Sequence, residues 1–246
     1  MSLSDIQATI LFTGLPRHAN NPKVVESVRA IMDQCKSVSV YAQMWYGQNY
    51  SKSSSWAISH GSSVDPGKSI SKTVIKEFTD NYKPVSMLIE QPLDKTDVLR
   101  QRFDPEILSI LEDRFTGNPY YSVDNLYNIA SQFTALENGY SILQNIGDVL
   151  IVLRYDAVVK PIPRLADLVH AHKLYIPHGL NFNDLILITT SSIVNPFKGL
   201  TYLLYNDVEL AKRIELPIPE CYRTEHSKSL SIEIGKINMY AEVIRT

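Results

Sequence analysis

The stretch Asp148-Val-Leu-Ile-Val-Leu-Arg-Tyr-Asp156 decides the fold class. Five consecutive apolar residues, Val149 to Leu153, are rich in β-branched types and follow a Gly147-Asp148 turn signal, which reads as a strand buried on both faces. Strands of that kind belong to parallel sheets covered by helices on either side. The apolar run stops at Arg154, Tyr155 and Asp156, so polar groups appear where the strand emerges at its C-terminal end. Open α/β sheets bind ligands at that edge. A carboxylate there suits a divalent cation shared with substrate phosphates. The plain alternative is that Asp156 caps a helix starting near Pro161 or closes a turn.

Upstream, Asn125 to Gln144 is helix-like, with Leu126, Ile129, Ala130, Phe133, Leu136 and Tyr140 at helical spacing and Gln132 among them. This helix is expected to pack beneath the strand 149–153. At the N-terminus, Ala8 to Phe12 reads as a first strand ending at Thr13-Gly14, followed by a loop with Arg17 and a helix from Pro22 to Gln34. Val38 to Ala42 is a second strand. The stretch Gln43 to Ser63 carries Trp45, Tyr46, Tyr50 and Trp56 among serines, which suits either ring stacking or a packed loop. A helix is expected over 71–82, and a third strand, Val85 to Ile89, ends at Glu90. Residues 95–117 read as one or two surface helices. Beyond Asp156, the pattern predicts a helix over 162–172, extended structure over 173–176, a buried strand over 185–189, helices over 194–205, 207–214 and 217–228, and a closing strand over 240–245.

The 246 residues carry no repeat or low-complexity tract, so a single α/β domain is expected. Net charge is −2 with basic and acidic residues evenly mixed, which leaves no electrostatic footprint for nucleic acid. Cys35 and Cys221 fit no metal or redox spacing and read as reduced thiols of an intracellular protein. No signal or transmembrane segment is apparent, and a cytoplasmic location is expected. The histidines show no metal-ligand spacing, and no Gly-x-Ser-x-Gly elbow occurs. Gly67-Lys68-Ser69 lacks the upstream glycine and leading strand of a phosphate-binding P-loop, and Pro66 removes an N–H, so it reads as a turn.

Taken in order, Asn128-Ile-Ala-Ser-Gln132 leading to Gly139, the strand running into Arg154-Tyr155-Asp156, Gly14 with Arg17 after the first strand, Asn183-Asp184 before a later strand and Pro219-Glu220 before a late helix resemble small glycosyltransferase-like proteins. These are used in lipopolysaccharide synthesis, with counterparts in large DNA viruses. The resemblance implies a GT-A-like (Rossmann-like), mostly parallel sheet flanked by helices, with a nucleotide-binding half about 1–156 and an acceptor-side half about 157–246. It implies a nucleotide-sugar donor, a glycan or lipid-linked glycan acceptor, a place in polysaccharide biosynthesis, and Mn²⁺ or Mg²⁺ held by Asp156. The candidate contacts for that nucleotide sugar are Thr13, Gly14, Arg17, Glu90, Gln132, Arg154 and Asp156. One departure stands out: the usual Asp-x-Asp of such proteins is Arg154-Tyr155-Asp156, leaving one carboxylate where two are common.

Glycosyl transfer needs a stabilised leaving diphosphate, a base where configuration inverts, and exclusion of water. Asp156, Arg154 and Arg17 are the candidates for the first; Asp184 and Glu220, each beside an element boundary, for the second. Asn183-Asp184 also reads as a turn, and Glu220 as a first-turn acid complementing a helix dipole. Two other functions compete: a catalytically silent nucleotide- or partner-binding α/β module, and a nucleotidyl- or phosphotransferase.

Overall fold

In a computed structural model, the residues described are 5–16, 18–46, 72–94, 97–118, 124–161, 163–177, 186–193, 195–238 and 240–243. Among them the central sheet has seven strands: β1 (Gln7–Thr13), β2 (Ser37–Trp45), β3 (Ser86–Glu90), β4 (Val149–Arg154), β6 (Lys173–Pro177), β7 (Ile186–Thr190) and β8 (Glu233–Ile237). Two further strands, β5 (Ala157–Lys160) and β9 (Tyr240–Val243), pair antiparallel as a separate ribbon. The helices are α1 (Pro22–Met32), α2 (Lys72–Tyr82), α3 (Pro105–Phe115), α4 (Asp124–Ser141), α5 (Leu200–Asn206), α6 (Val208–Arg213) and α7 (Pro219–Ser229), with a π-helical turn at Val98–Arg102.

Strand order is β3-β2-β1-β4-β7-β6-β8, which puts β4 at the centre. Neighbouring strands β3, β2, β1 and β4 are parallel, β6 and β8 are parallel, and β7 alone runs against both of its partners. Only eight residues separate Pro177 from Ile186, fewer than the dozen or so a parallel crossover requires, so β7 must return antiparallel. The protein is thus an α/β domain with a mostly parallel sheet flanked by helices, as the apolar run 149–153 foretells.

That run feeds two cores by strict alternation. Val149, Ile151 and Leu153 join Ile10, Phe12, Val40 and Ala42 on one face, under α1 and α2. Leu150 and Val152 join Leu11, Tyr41, Phe133 and Leu187 on the other, under α3, α4 and the C-terminal helices. Helix α1 starts where Asn21 accepts the Lys23 N–H at 3.0 Å and Pro22 occupies the first turn, and it buries Val24, Val25, Val28 and Ile31. The β5 strand is fastened to α1 through Ser27, whose hydroxyl accepts the Val159 N–H at 2.9 Å and donates to its carbonyl.

Several expectations change. Helix α4 makes its main sheet contacts with β1 and β2, not beneath β4. No long helix forms over 162–172: Ile162 precedes Pro163, which disfavours helical backbone, and the described part holds only a 3₁₀ turn at Leu165–Asp167. Gln34 ties that segment down, donating to the Pro163 carbonyl at 3.0 Å and accepting from Leu165 N at 3.1 Å. Helix formation after β7 waits until Leu200, past Gly199 in the left-handed region (φ 85°). Trp45, expected on an aromatic loop, ends β2 with 5% of its surface exposed. Tyr50, Trp56 and the Gly67-Lys68-Ser69 turn lie outside the described residues. No described helix is long and apolar enough to cross a membrane.

Candidate functional site

Because β1, β2, β3 and β4 are parallel, their C-terminal residues open on one sheet edge. Thr13 stands opposite Arg154 in the β1–β4 register, and Trp45 opposite Glu90 in β2–β3. This edge gathers Thr13, Gly14, Glu90, Arg154 and Asp156. Gln132 is half-buried on α4, six residues before Asn138. Glu220 occupies the first turn of α7, a helix packed on β8, α5 and α4; its backbone carbonyl accepts from Thr224 at 2.8 Å. Arg17 and Asp184 lie outside the described residues.

One buried side chain organises the edge. Gln43 is wholly buried, and its Oε1 accepts the Gly14 N–H at 3.1 Å while its Nε2 donates to Glu90 Oε2 at 3.1 Å. Its backbone carbonyl accepts the Tyr155 hydroxyl at 2.9 Å. The segments after β1, β3 and β4 therefore all hang on one residue of β2. Gly14, with φ 100°, turns the chain away directly after β1, and its carbonyl accepts from Trp45 N at 2.9 Å. Asn138 of α4 donates to both Glu90 oxygens, at 2.9 and 3.2 Å. The helix comes that close because residue 139 is glycine: a Cβ there would sit 3.2 Å from Leu11 and Thr13 side-chain atoms and 3.3 Å from Gln43 Cβ.

Tyr155 is fully buried, stacked on Phe12 with centroids 5.3 Å apart and edge-on to Phe78 at 5.3 Å. Burial raises its hydroxyl pKa well above the ordinary value, so it serves as a hydrogen-bond donor and not as a base. It anchors the turn that aims its neighbours. Asp156 lies in the two-residue turn between β4 and β5 and is 8% exposed. Its carboxylate receives the Arg154 guanidinium in two bonds, Nε to Oδ1 at 3.1 Å and Nη2 to Oδ2 at 2.9 Å. The turn reading of Asp156 therefore holds, the helix-cap reading does not, and the side chain is engaged in an ion pair.

That pairing bears on the expected Mn²⁺ or Mg²⁺. Both Asp156 oxygens face a guanidinium that already supplies the positive charge, and among the described residues no three His, Cys, Asp or Glu side chains come together as a cation-binding group. The described donor set does not fit a metal held by Asp156. The thiols are also quiet: burial pushes Cys35 up to about 11 and raises Cys221.

A polar concavity of about 260 Å³ lies at the opposite, N-terminal edge, lined by Gln7, Thr9, Ser39, Gly147, Asp148 and Ser191 among others. Several of its polar groups serve as joinery: Gln7 N–H to Asp148 Oδ2 at 2.8 Å, Gly147 N–H to Thr9 Oγ1 at 3.1 Å, and Ser191 N–H to the Asp148 carbonyl at 3.2 Å. It joins β1 to the segment leading into β4 and offers no charged group free of those bonds.

Gln43 and Asn138 were not singled out in the sequence, and Gly139 only as the end of a helix motif. The first had a signal: a lone amide inside the apolar run Val40-Tyr-Ala-Gln-Met-Trp45, which marks a buried polar residue needing partners.

No protein-family model and no curated protein matches the sequence. Among solved structures, the chain is similar to mouse xyloside xylosyltransferase 1 in its apo form, at 9% identity over 94% of this chain and 85% of that one, with a TM-score of 0.42. It is similar to the glycosyltransferase GlyE of Streptococcus pneumoniae TIGR4, at 9% identity and a TM-score of 0.40, with 95% of this chain spanning 45% of that one. A transferase mutant with two cysteines changed to serine gives 10% identity over 96% and 95% of the two chains, with a TM-score of 0.37.

Proposed function

We propose that the protein is a glycosyltransferase that moves a sugar from a nucleotide-sugar donor to a glycan or lipid-linked glycan acceptor in polysaccharide biosynthesis, with the donor lying across the C-terminal edge of β1 to β4. The observation that carries this reading is the meeting, on one parallel-sheet edge, of a glycine-led loop after β1, the Glu90 carboxylate after β3 and the Arg154-Tyr155-Asp156 turn after β4. Parallel α/β sheets bind their ligands at this edge. Gly14 and Arg154-Tyr155-Asp156 are also among the residues that carry the resemblance in the sequence.

In the reaction, the bond from the anomeric carbon to the diphosphate oxygen breaks and its electron pair leaves with the diphosphate. The acceptor oxygen bonds to that carbon and gives up its proton. Arg154 is the group that meets the developing phosphate charge, because a guanidinium binds phosphate oxygens in the same forked geometry it now uses on Asp156. Asp156 holds that fork at the strand end until phosphate takes it. Asp184 and Glu220 remain the candidates for the acceptor base, with Gln132, Thr13 and Arg17 as donor contacts. The nucleotide-binding half is about 1–156 and the acceptor half about 157–246.

Incubation with a panel of nucleotide sugars, following binding and slow hydrolysis, tests the reading. Binding with release of free sugar supports a transferase. Binding with no hydrolysis and no transfer to any glycan points to the silent module, and tighter binding of free nucleoside triphosphates to a nucleotidyl- or phosphotransferase.

A further inference from the structure

We propose that Glu90 takes the ribose hydroxyls of the bound nucleotide, and that Gln43 and Asn138 are positioning residues that aim it; this rests on the reading of the sheet edge as a nucleotide-sugar site. Glu90 is half-buried at the end of β3, and its carboxylate is held only by neutral amides: Asn138 on both oxygens and Gln43 on Oε2. Among the described residues, no lysine or arginine pairs with it. Neutral donors fix the direction of a carboxylate without cancelling its charge, so it stays a strong acceptor for a further O–H donor. A carboxylate offers about four lone-pair positions, and the amide bonds leave capacity on Oε1 in particular.

The orientation is fixed on the Gln43 side by chemistry. Gly14 presents an N–H, which only the oxygen end of the Gln43 amide accepts, so the NH₂ end must face Glu90. Full burial and the close approach of α4 at Gly139 leave that amide no second setting. Asn138, one residue before that glycine, brings its NH₂ to Glu90 from the helix side.

Charge then sets which part of the ligand lies here. Glu90 and Arg154 are on strands three steps apart, about 14 Å at about 4.8 Å per step. The guanidinium end suits the diphosphate; the carboxylate end repels it and suits a neutral group rich in hydroxyls. In a nucleotide sugar both the ribose and the transferred sugar answer that description. Gln43 ties Glu90 to the Gly14 loop, accepting from the Gly14 N–H and donating to Glu90 Oε2, and that loop is a candidate nucleotide-sugar contact, so the assignment here is to the ribose.

The test is the dissociation constant of uridine, guanosine, adenosine and cytidine diphosphates and their deoxyribose counterparts for the wild type, Glu90→Gln and Asn138→Leu. The wild type is expected to prefer the ribo form of its best nucleotide by about ten- to a hundredfold, the worth of a hydrogen bond to a charged group. Glu90→Gln should lose most of that preference while binding the deoxyribo form as the wild type does. Asn138→Leu should lose part of it with an unchanged circular dichroism spectrum, a ratio that a purely structural role would not move. Equal binding of ribo and deoxyribo forms by the wild type, or a preference intact in Glu90→Gln, overturns the assignment while leaving the nucleotide reading in place. Failure of every nucleotide to bind removes both.

Discussion

Replacing Asp156 by asparagine separates the two roles a carboxylate has at this position. In the structure its two oxygens accept from Arg154 Nε and Nη2 at 3.1 and 2.9 Å. Asparagine keeps one acceptor oxygen and turns an NH₂ toward the other guanidinium nitrogen, so one charge-assisted bond is lost. Such bonds contribute about 1.5–3 kcal/mol when shielded. The arginine side chain is 34% exposed and the aspartate 11%, and solvent screening brings the expected loss to about 1 kcal/mol. In a chain of this length that lowers Tm by about 2–4 °C. The same 1 kcal/mol no longer opposes release of Arg154 to a diphosphate, so nucleoside diphosphate affinity should rise about fivefold. Calorimetric titration of the tightest-binding diphosphate into both proteins, with and without Mn²⁺, reads this directly. A cation held by Asp156 predicts the reverse: turnover falling by orders of magnitude and weaker, metal-insensitive binding, since metal stabilisation of a leaving group contributes several kcal/mol. Either weakened or unchanged affinity in the asparagine variant refutes the Arg154 reasoning.

Three stability predictions come from packing and burial. Gly147→Ala would place a Cβ 2.2 Å from the Gln7 carbonyl oxygen; the segment must lift off β1 and lose the Gly147–Thr9 and Asp148–Gln7 bonds, costing about 3 kcal/mol in a urea titration, and a loss below about 1 kcal/mol would contradict the packing. Arg223 is 5% exposed with Nε and Nη2 buried and, among the described residues, without hydrogen-bond partners, so Arg223→Met should raise Tm; a fall would reveal a counter-charge on the guanidinium. Burial holds the His226 pKa below its ordinary 6.5, with Glu137 and the Lys198 backbone partly opposing it. The unfolded chain therefore takes the proton first: stability is complete above the unfolded value and declines as pH falls through and below about 6.5, and His226→Phe should flatten that slope.

The sheet was legible wherever a strand was apolar on both faces. Val149 to Leu153 carries its own proof, because no polar side chain interrupts it, and Thr9 alone interrupts Ala8 to Phe12; both faces of each run meet a core. Strand β8 escaped because Glu233-Ile-Gly-Lys-Ile237 shows neither a run nor clean alternation; its glycine is there so that the Tyr175 ring can lie against the backbone, a neighbour distant in sequence. Strand β5 went unread because it is only four residues long and its partner, β9, lies far along the chain. At the candidate site, the strand-end positions Thr13, Glu90 and Arg154 followed from counting along apolar runs. The Gln43 relay did not, because the second strand was ended at Ala42, three residues short of Trp45, which turned a buried amide into the first residue of a loop. The Arg154–Asp156 pair was equally hidden: two residues apart on a strand end, their side chains meet only because the turn at Tyr155 folds them together.

The most direct test of the central claim asks where on the sheet a nucleotide binds. Amide chemical shifts of the isotope-labelled protein, followed during titration with a nucleoside diphosphate, distinguish the two edges. The account predicts perturbations at Gly14, Trp45, Glu90 and Arg154 to Asp156, with Gly147, Asp148 and Ser191 unmoved. Shifts confined to Gly147, Asp148 and Ser191 would put the ligand in the concavity at the opposite edge and contradict it.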